Sequence, residues 1–122
     1  MQRRTREPDP QTLLPLPVAF FHILVALADG ERHGYAIMQD VAERTGGALK
    51  LSPGTLYGAI RRMLELGLIV EAADRPDPEY DDERRRYYRP TSFGHKVAMA
   101  EAARLSHLVD DARSRGWLPK RG

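Results

Sequence analysis

The stretch Leu51-Ser52-Pro53-Gly54-Thr55-Leu56-Tyr57-Gly58-Ala59-Ile60-Arg61-Arg62-Met63-Leu64-Glu65-Leu66-Gly67-Leu68-Ile69-Val70 holds a helix start, a two-faced helix, a helix stop and a strand in direct succession. Ser52 offers the side-chain oxygen of an N-cap, and Pro53 suits the first helical position because its missing N–H has no partner to lose there. Leu56, Ile60, Met63 and Leu64 recur at three- and four-residue steps, which places them on one apolar face. Gly67 supplies the helix stop, and the β-branched run Leu68-Ile69-Val70 has strand character.

Two shorter helices precede this one. Pro17 opens the first, with Phe20, Phe21, Leu24, Val25 and Ala28 as its expected inward face and Asp29-Gly30 as its end. Gly34 to Arg44 forms the second, with Ile37, Met38 and Val41 inward and the pair Gly46-Gly47 stopping it. Downstream, a turn-rich loop from Asp74 to Glu83 leads to a second strand at Arg85 to Arg89, where Tyr87 and Tyr88 favour extended backbone. Three short helices followed by a two-stranded ribbon is the order of a winged helix-turn-helix: mainly α with a small β wing, the third helix being the one presented to DNA. A long final helix, Ser92 to Arg115, carries Ala98, Ala102, Leu105, Val109 and Ala112 at heptad steps. Such a seam serves either for folding back on its own domain or, as the stronger expectation, for a homodimer. Residues 1–16, charged and holding three of the nine prolines at Pro8, Pro10 and Pro15, read as a flexible arm. The expected organisation is therefore arm 1–16, winged helix 17–91, dimerisation helix 92–115 and tail 116–122.

Composition excludes several classes of function. With 122 residues the chain has room for one domain, and 42% apolar with 30% charged residues is ordinary for a globular fold. Cysteine is absent, which removes disulfides, thiolate chemistry and Cys-based metal sites and agrees with a cytoplasmic protein. Arg3, Arg4 and Arg6 ahead of an apolar run imitate a secretion signal, but Glu7, Asp9, Pro15, Pro17 and His22 interrupt it, and they equally argue against a membrane span. Neither a phosphate-binding glycine loop nor a nucleophile elbow nor paired metal-ligand spacing occurs, so neither an enzyme nor a cofactor or metal is expected. His22, His33, His95 and His107 are scattered over separate elements.

Residues 51–69, together with His33-Gly34-Tyr35-Ala36-Ile37 and Arg86-Tyr87-Tyr88-Arg89-Pro90-Thr91 with Gly94, resemble the third helix and first wing strand, the second helix, and the second wing strand of PadR-family transcriptional regulators. The resemblance covers about residues 18 to 115. It implies a winged-helix DNA-binding domain, a C-terminal helix that makes the dimer, and a repressor released by a small molecule or stress signal. Two features depart from the pattern. Pro90 stands where an aliphatic residue usually precedes the Thr, and the wing is unusually acidic.

The net charge of only +2 makes local clustering decisive for DNA affinity. Ser52, Gly54, Thr55, Gly58 and Arg62 lie along the face opposite Leu56 and Ile60, where short polar side chains and glycine let a helix approach base edges. Arg61 and Arg62 can pair with guanine or clamp phosphate, Arg62 being favoured for bases, and Lys50 is a candidate phosphate partner. Tyr35 resembles a family position near the DNA backbone, which implies a phosphate contact for it. For Tyr57 a core ring and a phosphate donor are both open readings. Asp74, Asp77, Glu79, Asp81, Asp82 and Glu83 make the wing tip repellent to DNA, which leaves Arg84, Arg85 and Arg86 at its base for phosphate, or for pairing with the wing's own carboxylates. Trp117 is the only tryptophan; the resemblance implies that in a dimer it could line a pocket for a planar aromatic effector, and the other reading is simple docking against the partner or its own domain. The expected partners are a pseudo-palindromic duplex and a second copy of the chain. The alternative is a winged-helix module that binds proteins rather than specific DNA.

Overall fold

Why these residues fold as they do is clearest at the helix ends. In the computed structural model, which describes residues 7–72 and 86–120, four α-helices and three short strands follow the order α1 (Val18–Ala26), β1 (Arg32–His33), α2 (Gly34–Arg44), α3 (Pro53–Glu65), β2 (Ile69–Glu71), β3 (Tyr87–Pro90) and α4 (Ser92–Ser114). Each of the last three helices begins with a side-chain cap, which satisfies an amide that the helix itself leaves unbonded. His33 Nδ1 accepts from Ala36 N–H at 3.1 Å, Ser52 Oγ from Thr55 N–H at 3.2 Å, and Thr91 Oγ1 from Gly94 N–H at 2.8 Å. Gly46 and Gly47 after α2 and Gly67 after α3 have φ of 61°, 85° and 77°, the left-handed backbone that glycine adopts without strain.

The core lies where α1, α2 and α3 meet, around Ile23, Leu27, Ile37, Val41, Leu56, Ile60 and Met63, all 1% exposed or less. α4 closes this bundle with Phe93 and Val97. The face of α1 differs from its expected one. Ile23, Leu24, Ala26 and Leu27 are buried, whereas Val25 and Ala28 reach the surface. An almost wholly apolar helix has no polar side to set its phase, so packing against its three neighbours decides which residues go inside.

The sheet has a strand beyond the expected ribbon. β3 is central, pairing antiparallel with β2 (Val70 opposite Arg89) and with β1 (Arg32 opposite Tyr88). β1 is two residues long and therefore shows no alternation in sequence. Arg32 Nε donates to the Ala26 carbonyl at 2.7 Å and so closes the turn that delivers β1 to the sheet.

The arm expected to be flexible is ordered over its described part. A 3-10 turn at Pro10–Leu13, capped by Asp9, leads to Leu16, which is buried and donates its N–H to Glu101 Oε2 at 3.1 Å. Glu101 is 2% exposed and holds Arg104 through two contacts of 2.6 and 3.0 Å. The guanidinium and the Leu16 amide keep its carboxyl below the ordinary carboxylate value, against the opposing effect of burial. Leucines at 13, 14 and 16 thus find an apolar seat against the helical core that proline content alone does not reveal.

Candidate nucleic-acid interface

α3 has one face in the core and the other in solvent. Leu56, Tyr57, Ile60 and Met63 are buried, while Ser52, Gly54, Thr55, Gly58, Arg61 and Arg62 are exposed. The Ser52 hydroxyl also donates to Thr55 Oγ1 at 3.0 Å, so the two short side chains at the helix entry are held together. Nothing lies within 4 Å of where a β-carbon would stand on Gly54 or Gly58, which keeps the outer backbone open to an approaching surface. One turn further, Arg62 lies 3.8 Å from Glu65, both side chains well exposed. An exposed pair of this kind contributes about 0–1 kcal/mol, so it can exchange for a phosphate or a base edge at little cost.

Tyr57 is the correction on this helix. It is 6% exposed, and its ring lies against Gly34 at the start of α2; a β-carbon on Gly34 would stand 2.7 Å from Tyr57 Cε1. The phenol therefore packs the α2–α3 junction and does not face solvent, which resolves the two open readings toward the core. Tyr35 is the opposite case. It is 49% exposed on the first turn of α2, near the positive end of that helix's dipole. Lys50 is exposed in the loop that leads into α3.

Of the wing arginines, Arg84 and Arg85 lie outside the described residues. Arg86 precedes β3 and places Nε 3.6 Å from Glu71 across the ribbon. Arg89, in the middle of β3, is exposed beside Val70. It is a fourth cation beside the wing arginines, and the register of β3 points it away from buried Tyr88.

The candidate dimer seam is half covered within one protomer. Ala98, Leu105 and Ala112 are half-buried, and Ala102 and Val109 are exposed. Ala98 and Ala102 line a groove of about 260 Å³ between α1 and α4, together with Phe21, Val25, Ala28 and Met99. Trp117 is 82% exposed and sits outside that groove, beyond the end of α4. Gly116 at φ 89°, the Trp117 N–H to the Ala112 carbonyl at 2.9 Å and Arg113 Nε to the Pro119 carbonyl at 3.1 Å fold the chain back there. No cluster of potential metal ligands occurs among the described residues, and no described helix is long and apolar enough to cross a membrane.

The Transcriptional regulator PadR-like family model matches residues 23–100, from the core of α1 into α4. The chain belongs to this family. PadR-like proteins are transcriptional regulators rather than enzymes, and the match takes in the end of α1, all of α2, α3 and the three strands, and the first part of α4. Among relatives, a transcriptional regulator of Mycobacterium tuberculosis is 35% identical over 88 residues, which is 72% of this chain and 76% of that protein. A protein encoded in a Streptomyces fradiae transposon is also 35% identical, over 70% of this chain, but the match spans only 22% of that relative's length. Among solved structures, a PadR family transcription regulator from Clostridium difficile superposes with a TM-score of 0.68 at 23% identity, covering 80% of this chain and 97% of that one. Bacillus subtilis PadR in complex with operator DNA gives a TM-score of 0.58 at 17% identity, covering 83% and 63%. Both likenesses are those of the PadR winged-helix fold.

Proposed function

We propose that this PadR-like regulator binds a pseudo-palindromic DNA operator as a homodimer in the cytoplasm and acts as a repressor released by a small-molecule or stress signal. The observation that carries the reading is the outer face of α3, where Ser52, Gly54, Thr55, Gly58, Arg61 and Arg62 are exposed together opposite a fully apolar inner face. Thr55 and Arg62, two turns apart on that face, would read base edges from the major groove. Tyr35, Lys50, Arg61 and the wing base would hold phosphates, Arg84, Arg85 and Arg86 among them. Residues 17–91 would form the DNA-binding unit, with 92–115 as the dimerisation helix and 116–122 as its tail.

A second copy is supported by the surface of α4. Twenty-three residues of helix span about 34 Å, and Met99, Leu108 and Val109 on it are all at least 40% exposed in the single chain. Trp117, held on a folded-back turn, would line a pocket for a planar aromatic effector only once the partner supplies the other wall.

Fluorescence anisotropy with duplexes tiled across the promoter nearest the protein's own gene, at several salt concentrations, tests the reading. The expected result is nanomolar, salt-dependent binding to one tile, weakened at least about tenfold in an Arg61→Ala/Arg62→Ala double variant. Binding that is uniformly weak on every duplex and unchanged in the variant would replace it with a protein-interaction role.

A further inference from the structure

The end of α3 and the start of α4 are joined through one side chain. α3 stops at Gly67, and the Leu68 N–H closes the helix end on the Met63 carbonyl at 2.9 Å. Those two stop residues turn their carbonyls toward Thr91, twenty-four and twenty-three residues later in the chain. The Thr91 hydroxyl donates to the Gly67 carbonyl at 2.5 Å, with the Leu68 carbonyl 3.3 Å away, and the Thr91 N–H donates to the Leu68 carbonyl at 3.1 Å. The same hydroxyl oxygen accepts from Gly94 N–H and so caps α4. Gly94 is buried against this joint, and a β-carbon there would overlap the Leu68 carbonyl. The backbones of the two elements are therefore in direct contact, with no layer of side chains between them to yield.

We infer that Thr91 is a positioning residue for DNA recognition: its clamp onto Gly67 and Leu68 fixes the angle between the reading helix and the dimer helix, and thereby sets the half-site spacing that the dimer accepts. The inference rests on the proposed DNA-binding dimer. In a dimer joined through α4, the angle between α3 and α4 enters once in each protomer, so slack at the α3–α4 joint enters twice. A tilt of about 10° over the roughly 34 Å of α4 displaces its far end by about 6 Å, close to two base-pair steps. Thr91 touches none of the residues assigned to DNA, so loosening it should leave each half-site contact intact while relaxing the distance between them.

The test uses the full-length chain and palindromic duplexes built from the half-site recovered by selection from a random library. Centre-to-centre separation is stepped in single base pairs around one helical turn, about 10 to 10.5 base pairs. The wild type should lose about tenfold in affinity for each base pair away from the best spacing. Thr91→Val, which keeps the shape and removes the hydroxyl, should lose less than about threefold per step while binding an isolated half-site as the wild type does. Thr91→Ser, which keeps the hydrogen bonds, should restore the steep profile. Each profile is a ratio within one preparation, so a smaller folded fraction cancels. A Thr91→Val profile as steep as the wild type overturns the inference, and so does a Thr91→Ser profile that is flat, the second outcome being readable even if the valine variant does not fold. A wild type with no spacing preference at all, or no selected half-site, would instead count against the dimeric DNA-binding reading itself.

Discussion

Gly34 and Glu101 show how much a single position can carry here. The Gly34 site admits no side chain because the Tyr57 ring occupies its β-carbon space. Gly34→Ala should therefore destabilise the fold by about 1–3 kcal/mol, read from the urea midpoint, since either the ring or the first turn of α2 has to move. Tyr35, the next residue, should then present itself less well, so operator affinity should fall with stability. Glu101 gives a pH dependence whose sign follows from its depressed carboxyl pKa. Its contribution is complete above the ordinary value of 4.5 and is lost as pH falls through the lower value of the folded state. Glu101→Gln should cost about 1–3 kcal/mol at neutral pH, and the gap to the wild type in chemical denaturation should narrow only below about pH 4.5. A gap constant down to pH 3 would show that the carboxylate charge does not matter. Neither residue stands out in the sequence. Gly34 looks like an ordinary helix-start glycine, and Glu101 looks like one more surface carboxylate on an alanine-rich helix.

At the level of elements, α3 is the one whose start, end and two faces all follow from local chemistry. Ser52→Ala removes the oxygen that holds both the Thr55 amide and the Thr55 hydroxyl, and should cost about 0.5–2 kcal/mol in thermal or chemical unfolding. Because Ser52 and Thr55 also face outward at the helix entry, DNA affinity should drop by more than the stability loss explains. Arg62→Ala alone should relax sequence preference at one operator position by about 1–3 kcal/mol, whereas Arg86→Ala should only reduce the salt slope. A uniform loss across all base positions for Arg62→Ala would reassign it to phosphate. α2 was legible in its extent and in its Gly46-Gly47 stop, whereas its cap by the His33 ring shows only in the structure. α1 was legible as a helix but not in its facing, because nearly every residue in it is apolar and several rotations bury similar area. β1 was not legible at all, since two residues carry no period and the strand exists only because β3 has an open edge beside it.

For the whole molecule, the decisive quantity is how much of α4 one protomer can cover. Phe93, Gly94, Val97 and Glu101 are buried against the winged helix and the 3-10 turn, and no described residue beyond Glu101 is. Val109→Glu places a charge on the exposed end of the seam and should convert a dimer to a monomer at micromolar concentration by light scattering, with operator affinity falling more than half-site affinity. Equal masses for variant and wild type would remove the seam from the interface. What the sequence determined by itself is what depends on neighbours along the chain: the helix start at Ser52, the glycine stops, the apolar face of α3, the order of elements and, through the motifs at 33–37, 51–69 and 86–94, the family resemblance. What only the tertiary structure decided depends on neighbours far apart in the chain. Tyr57 went inside because Gly34 leaves room for its ring, residues 9–16 became ordered because Glu101 holds the Leu16 amide across 85 positions, and α3 and α4 share a joint because Thr91 meets the two carbonyls that end α3. Capping, turns and periodicity act over a few residues and are written locally, whereas packing and long-range hydrogen bonds depend on the path of the whole chain.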